Sequence, residues 1–258
     1  MITLLDDVQP LVGSILQLLL HLYRASRSVH VLKISRQLFT LFHSSPEHLP
    51  HLQEYYVAVV GVTVQTLLLQ AADGGDSFHE HTYLLQVFYE EATAVLKKAT
   101  PVMATPKLDA GPLYGFAISG ILLPEKSTIH QCSLFISEFL SHGRNNEHFH
   151  KAIAERFDLL VTQIFAVIGG TYGSPSFAVD YMVDIIMALN SKYSDSFARA
   201  LNAVVEAEAF PSACVSREHK VNFVKTILSL RNNKRKMKDI VKEFSSRCRG
   251  LFGVDNKH

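Results

Sequence analysis

Little in this sequence can carry covalent, redox or metal chemistry. The 258 residues include only three cysteines, Cys132, Cys214 and Cys248. They are widely spaced and form no C-x-x-C pair, which argues against a disulfide framework and a zinc knuckle and points to a reducing compartment. Charge is sparse as well: 19% of residues are charged and the formal net charge is +1, so overall charge names no partner. Long apolar runs are missing. The most apolar windows, Leu11 to Leu22 and Val57 to Leu69, reach about half to two-thirds of a membrane span and are interrupted by Gln17, His21, Thr63 and Gln65, so they read as buried helices, not membrane insertions. Asp6 and Asp7 stand where a secretory leader would carry positive charge, which directs the chain away from the secretory pathway.

What the sequence has in abundance is helical periodicity. From about Val8 to the basic C-terminal stretch, one amphipathic pattern follows another, with no strand run between them. First helices of successive pairs begin near Gln9, His51, Leu108, Glu147 and Ser194, a step of about 40 to 57 residues that matches the HEAT and armadillo period. The expected fold is therefore all-α, an α-solenoid of HEAT-like antiparallel helix pairs, with residues 1–258 forming a single array and 234–251 a capping helix. The hydrophobic content of 48% fits an architecture whose inner helices are apolar on most of their circumference.

Local signals cut the array. Asp7 reads as an N-cap, Pro10 is tolerated in the first turn, and Leu11, Ile15, Leu18, Leu19 and Leu22 form an apolar stripe ending near Ser26. Val31 to Phe42 returns, using Leu32, Leu38, Leu41 and Phe42, and Ser44-Ser45-Pro46 stops it. Pro50 to Gln70 and Phe78 to Lys98 form the second pair around the turn Asp73-Gly74-Gly75-Asp76. Thr100 to Pro112, with three prolines, reads as a hinge or an elaborated loop between repeats. Leu113 to Leu123 pairs with Ile129 to Leu140, and Phe149 to Ile168 pairs with Phe177 to Leu189. In the last segment Met237, Ile240, Val241, Phe244, Cys248 and Leu251 form a narrow stripe with the basic residues mostly off it, which is the pattern of a terminal cap. No such polar helix precedes Val8, so the amino-terminal face of the first pair is expected to be open unless other repeats stand before it.

Motifs that could suggest catalysis do not hold together. Gly169-Gly170-x-x-Gly173 lacks the preceding strand, the lysine and the spacing of a phosphate loop, and reads as a helix-to-helix turn. His79 and His81, like His148 and His150, are two apart and point to opposite sides of a helix, so neither pair can chelate one ion. Ser119 is not in a nucleophile elbow, and Cys132 beside His130 reads as a core thiol. No enzyme, cofactor or metal site is expected.

Charged clusters say more. Asp180 and Asp184 share a face of an otherwise apolar helix at i, i+4, where like charges repel. Their compensation is hydration, an arginine of the neighbouring repeat, or a basic partner. The cluster Lys234, Arg235, Lys236, Lys238 and Lys242 could meet acidic protein or nucleic acid, yet no aromatics are interleaved with it, so direct nucleic-acid binding is not expected and the solvated face of a cap is the simpler reading.

Phe210-Pro-Ser-Ala, Asn233-Lys-Arg-Lys-Met-Lys-Asp-Ile-Val-Lys-Glu-Phe, Cys248-Arg-Gly-Leu, Ile168-Gly-Gly and Asp180-Tyr-Met-Val-Asp184-Ile-Ile-Met-Ala-Leu-Asn190 resemble the C-terminal end of nuclear transport receptors of the karyopherin-β family. These motifs cover roughly the last 90 residues; before them the likeness lies in helix pattern and spacing. The resemblance implies a HEAT-repeat superhelix in nucleus and cytoplasm that carries protein cargo through nuclear pores, contacts nucleoporins and is controlled by Ran in its GTP form. In that family Ran is held mainly by amino-terminal repeats outside this sequence, so the chain would supply C-terminal cargo-binding repeats. On that reading second helices line the concave surface, and Asp180, Asp184, Lys234, Arg235, Lys236 and Lys238 become candidate partner contacts. The alternative is a structural HEAT scaffold or a regulatory subunit of a protein complex.

Overall fold

The computed structural model describes residues 8–72, 82–230 and 233–251. Among these residues all regular structure is helical, thirteen α-helices with short 3₁₀ turns and no strand, as the sustained 3.6-residue periodicity requires. The chain divides into two compact units, Met1–Phe116 and Ala117–His258. Asp7, the Asp73–Asp76 turn and the His79/His81 pair lie outside the described residues.

The first unit holds α1 (Val12–Ser26), α2 (Val29–Phe42), α3 (Leu49–Ala72), α4 (Thr82–Lys98), the single turn α5 (Thr100–Met103) and the start of α6 (Ala110–Gly120). Helix α1 packs on α2 and α3, while α2 packs on α4. Polar bolts fix the register: Tyr23 Oη lies 2.7 Å from Thr63 Oγ1, Arg27 Nε donates to Thr66 Oγ1 at 2.9 Å, and Ser35 Oγ meets Tyr55 Oη at 2.6 Å. Buried hydroxyls need such partners, because an unpaired one costs about 1–3 kcal/mol.

Three details differ from the sequence reading. The buried stripe of α1 is Val12, Leu16, Leu19 and Tyr23, while Leu11, Leu18 and Leu22 are exposed; α1 is apolar on two faces, and only one is covered. Helix α3 has the length and apolar content of a membrane span over Leu49–Leu69, longer than the windows measured between polar residues. Here it packs on α1 and α5, burying Leu52, Tyr55, Tyr56, Val59, Val60 and Leu67. The proline-rich stretch contributes its own helical turn, with Pro101 in the first turn of α5 and Val102 and Met103 fully buried.

The second unit contains α7 (Lys126–His142), α8 (Glu147–Glu155), α9 (Phe157–Gly169), α10 (Val179–Lys192), α11 (Ser194–Glu206), α12 (Arg217–Ser229) and α13 (Lys234–Cys248). Helices α7, α10 and α13 pack side by side as one layer; α9 with α11 and α11 with α12 form the other. The expected single helix from Phe149 to Ile168 is two helices. It breaks at Arg156, whose φ of −119° is not helical, and α8 starts at Asn146, whose side chain accepts the Phe149 N–H at 3.0 Å.

Helix α12 has a consequence for direction. His130 of α7 stacks near Tyr181 of α10 and Tyr193 Oη donates to Leu140 O at 3.1 Å, so α7 and α10 run parallel. Lys242 pairs with Asp180 and Lys234 with Asp184, so α13 runs antiparallel to α10. An extra helix between α11 and the terminal one forces that reversal.

Candidate interaction surface

The charged candidates meet where α13 crosses α10. Val179, Met182, Val183 and Ile186 bury one face of α10, and the i, i+4 spacing leaves Asp180 and Asp184 half-exposed on the adjoining face. On α13, Met237, Val241, Phe244 and Cys248 face the core; Ile240 is half-buried and Leu251 exposed. The lysines flanking that stripe reach back across the seam: Lys234 Nζ lies 2.5 Å from Asp184 Oδ1, Lys238 Nζ 3.2 Å from Asp180 Oδ2, and Lys242 Nζ 2.9 Å from Asp180 Oδ1. The compensation for the two aspartates thus comes from lysines of the terminal helix. Arg235 and Lys236 are exposed and form no ion pair with the described residues.

Electrostatics follow the geometry. Partial burial pushes the Asp180 carboxyl up, but the Lys242 and Lys238 ammoniums outweigh it and hold the group below its ordinary value. Beneath the seam Arg249 acts as a latch. Its guanidinium donates to Ser174 O at 2.8 Å, Val167 O at 2.9 Å and Ser245 Oγ at 3.2 Å, while Ser245 Oγ donates to Ile168 O at 2.7 Å. Gly170 closes α9 with a φ of 79°, and a side chain there would meet Arg249, so the Gly169-Gly170 pair is a helix-ending turn shaped around the latch.

Aromatic and polar contacts fix α12 and α13. Phe223 and Phe244 stack with ring centroids 3.9 Å apart, and Phe165 meets Phe223 edge-on at 6.0 Å. Lys220, 2% exposed, donates to the carbonyls of Ala207 and Glu208. Asn190 Nδ2 reaches Ile227 O at 2.8 Å and Leu230 O at 3.2 Å. Sequence reasoning missed α12, Lys220 and Arg249. Lys220 had a signal, since it precedes Phe223, Val224 and Ile227 at i, i+3, i+4, i+7; for Arg249 the i, i+4 spacing to Ser245 is too common to be one, and its other two partners are backbone carbonyls 75 and 82 positions away.

Residues weighed for chemistry are dispersed. Cys132 is fully buried, and burial pushes its thiol far above the usual range. His148 and His150 are exposed on either side of the buried Phe149, and Ser119 is exposed on α6. Among the described residues no group of three or more histidine, cysteine, aspartate or glutamate side chains is placed to hold a metal. A groove of about 430 Å³ opens between α8–α9 and α11, lined by Ile153, Ala154, Phe157 and Ala200 together with the polar His150, Asp158 and Arg199.

Comparison with known proteins gives one consistent picture. The importin 13 repeat family matches residues 121–197. Importin-13 of Bos taurus is 30% identical over 253 residues, 98% of this chain and 25% of the relative; Importin-13 of Homo sapiens is 29% identical over the same length. A solved structure of Importin13 in its cytosolic state superposes with a TM-score of 0.85 at 21% identity, covering 94% of this chain and 27% of the other, which establishes the α-solenoid fold. The chain spans about a quarter of the length of the curated relatives it matches.

Proposed function

The chain is homologous to the C-terminal part of importin-13, and from that premise we propose that it supplies the C-terminal cargo-binding repeats of a nuclear transport receptor. In this reading the receptor carries protein cargo between cytoplasm and nucleus, meets nucleoporins on the way, and is loaded and released under the control of Ran-GTP. Ran itself contacts repeats that precede the homologous part. The observation that supports the reading is the match over 98% of the chain, which includes the α9–α10 region and the terminal helix.

We place the cargo contact at the α10–α13 seam. The Asp184–Lys234 pair is 38% and 62% exposed on its two sides, and an exposed pair contributes about 1 kcal/mol at most. A basic side chain of a partner can therefore take Asp184 from Lys234 at small cost, and the released lysine joins Arg235 and Lys236 in facing acidic groups nearby. Asp180, held by Lys238 and Lys242 together, keeps α13 in place.

The test is affinity capture from nuclear extract with the purified chain, with and without Ran-GTP, repeated with Asp184→Lys and Lys236→Glu. Enrichment of folded nuclear proteins that weakens in the two variants supports the reading. Capture of a single stoichiometric non-nuclear assembly would replace it with a HEAT scaffold or a regulatory subunit.

A further inference from the structure

Two of the three cysteines meet at the end of α13. Cys214 is exposed in the segment 207–216 that joins α11 to α12, and Cys248 is the last residue of α13, buried at 3% exposure. One oxygen atom joins their backbones. Ser212 Oγ donates to Cys248 O at 2.6 Å and accepts the Cys214 N–H at 3.1 Å, so both cysteine backbones lie within hydrogen-bond reach of a single hydroxyl. That is the scale of a disulfide, whose Cα atoms stand about 4.4–6.8 Å apart. The segment is also anchored at this place. Pro211 is buried against Gly169, with Thr171 Oγ1 donating to its carbonyl at 3.4 Å, and Val215 is buried as well.

The two sulfurs differ in what they can meet. Burial pushes the Cys248 thiol up to about 12; Cys214 close by adds to the rise, while the Arg249 guanidinium and the Lys220 ammonium oppose it. Cys248 is thus a protonated, covered thiol that does not react with an oxidant by itself. Cys214 is open to solvent. We propose that Cys214 and Cys248 are a peroxide-sensitive thiol pair, in which Cys214 is oxidised first and Cys248 closes a reversible disulfide to it. In the first step the Cys214 sulfur attacks hydrogen peroxide. An S–O bond forms, the O–O bond breaks, sulfur gives up two electrons, and the thiol proton leaves with the departing hydroxide as water. In the second step the Cys248 sulfur attacks the sulfenic sulfur of Cys214; the S–S bond forms, the S–O bond breaks, and the Cys248 proton and the hydroxide leave as a second water. Arg249 and Lys220 favour the thiolate this step needs, and Ser212 keeps the reactants together. A small dithiol reverses the bond by exchange, as befits the transient disulfides of a reducing compartment. Closure fastens the 207–216 segment to the last turn of α13, the helix whose lysines hold Asp180 and Asp184. The inference stands on the thiols and does not depend on the cargo reading.

The test treats the complete folded chain with hydrogen peroxide and maps its peptides without reduction. The expected product is a monomer with one linked peptide pair, Cys214 to Cys248, a mass lower by two hydrogens and a raised Tm, all reversed by dithiothreitol. Cys248→Ser should leave Cys214 as a sulfenic acid that dimedone labels, and Cys214→Ser should leave Cys248 unmodified at the same peroxide dose. Ser212→Ala should slow the disulfide while Cys214 is consumed at its usual rate. The peptide map of the unsubstituted chain decides the matter whether or not each variant folds. A Cys214 that survives peroxide, or one that ends as sulfinic acid or in links between chains without the internal pair, overturns the proposal. So does a link that forms no faster in the folded chain than in urea.

Discussion

Glu91 to Gln is the substitution whose effect on stability should depend most on pH. Glu91 projects from α4 into the α2–α4 contact, its side chain 7% exposed, with Arg36 Nε 3.1 Å from Oε2 and Glu90 on the far side of the same guanidinium at 3.9 Å. Burial raises its carboxyl from 4.5 to about 7; Arg36 and Lys33 oppose the rise and Glu90 adds to it. The carboxyl is covered, yet the shell around it is half open, since Arg36 is 40% exposed. A folded-state pKa above the unfolded value means that the folded chain keeps a proton the unfolded chain has lost, so stability falls as pH rises from 4.5 to about 7 and is level beyond. At 1.36 kcal/mol per unit this amounts to about 3 kcal/mol. Glutamine is neutral throughout and nearly isosteric with the protonated acid. The variant should therefore match the wild type near pH 4.5 and exceed it by up to about 3 kcal/mol at pH 8, and Arg36, with water at hand, is not stranded. Urea unfolding followed by circular dichroism at both pH values, with equal m-values required, measures the gap. A wild type that gains on the variant as pH rises would show that the Arg36 ion pair outweighs desolvation and would refute the argument.

Other outcomes follow from the same structure. Phe244→Ala removes a ring 4% exposed and stacked on Phe223; it should cost about 3–5 kcal/mol, with amide protection lost first in α12 and α13, and an unchanged melting curve would contradict the packing. Gly169→Ala would drive a methyl group into the Pro211 carbonyl, a backbone neighbour with little room to yield, so a large fall in Tm is expected, whereas the same change at Gly61, exposed in the middle of α3 with open space around it, should stabilise by about 0.5–1 kcal/mol. Asp180→Asn removes a carboxyl held below its ordinary 3.8 by two lysines; its stabilisation is present above that value and disappears as pH falls through the lower folded-state pKa, so the Tm difference between variant and wild type should vanish in strong acid. The chain alone should bind Ran-GTP weakly or not at all by calorimetry, and tight binding would place a Ran contact within these repeats.

Although α12 and the break at Arg156 were not read, the all-helical character was legible because it rests on local periodicity, which the thirteen α-helices among the described residues repeat. The choice of face was not. On α1 the stripe read from the sequence is Leu11, Ile15, Leu18, Leu19 and Leu22; Leu19 is buried, but Leu11, Leu18 and Leu22 lie exposed on the other arc, since spacing alone cannot say which of two apolar arcs has a neighbour. The same limit governs the charged seam. An i, i+4 pair of aspartates announces a need for compensation, but its source depends on the direction of α13, which α12 reverses. A terminal helix running the other way would carry Lys234 and Lys242 to opposite ends of α10 from those they now hold. One intervening helix thus decides which lysine meets which aspartate, and the polarity of the seam is a property of topology that residue types alone do not encode.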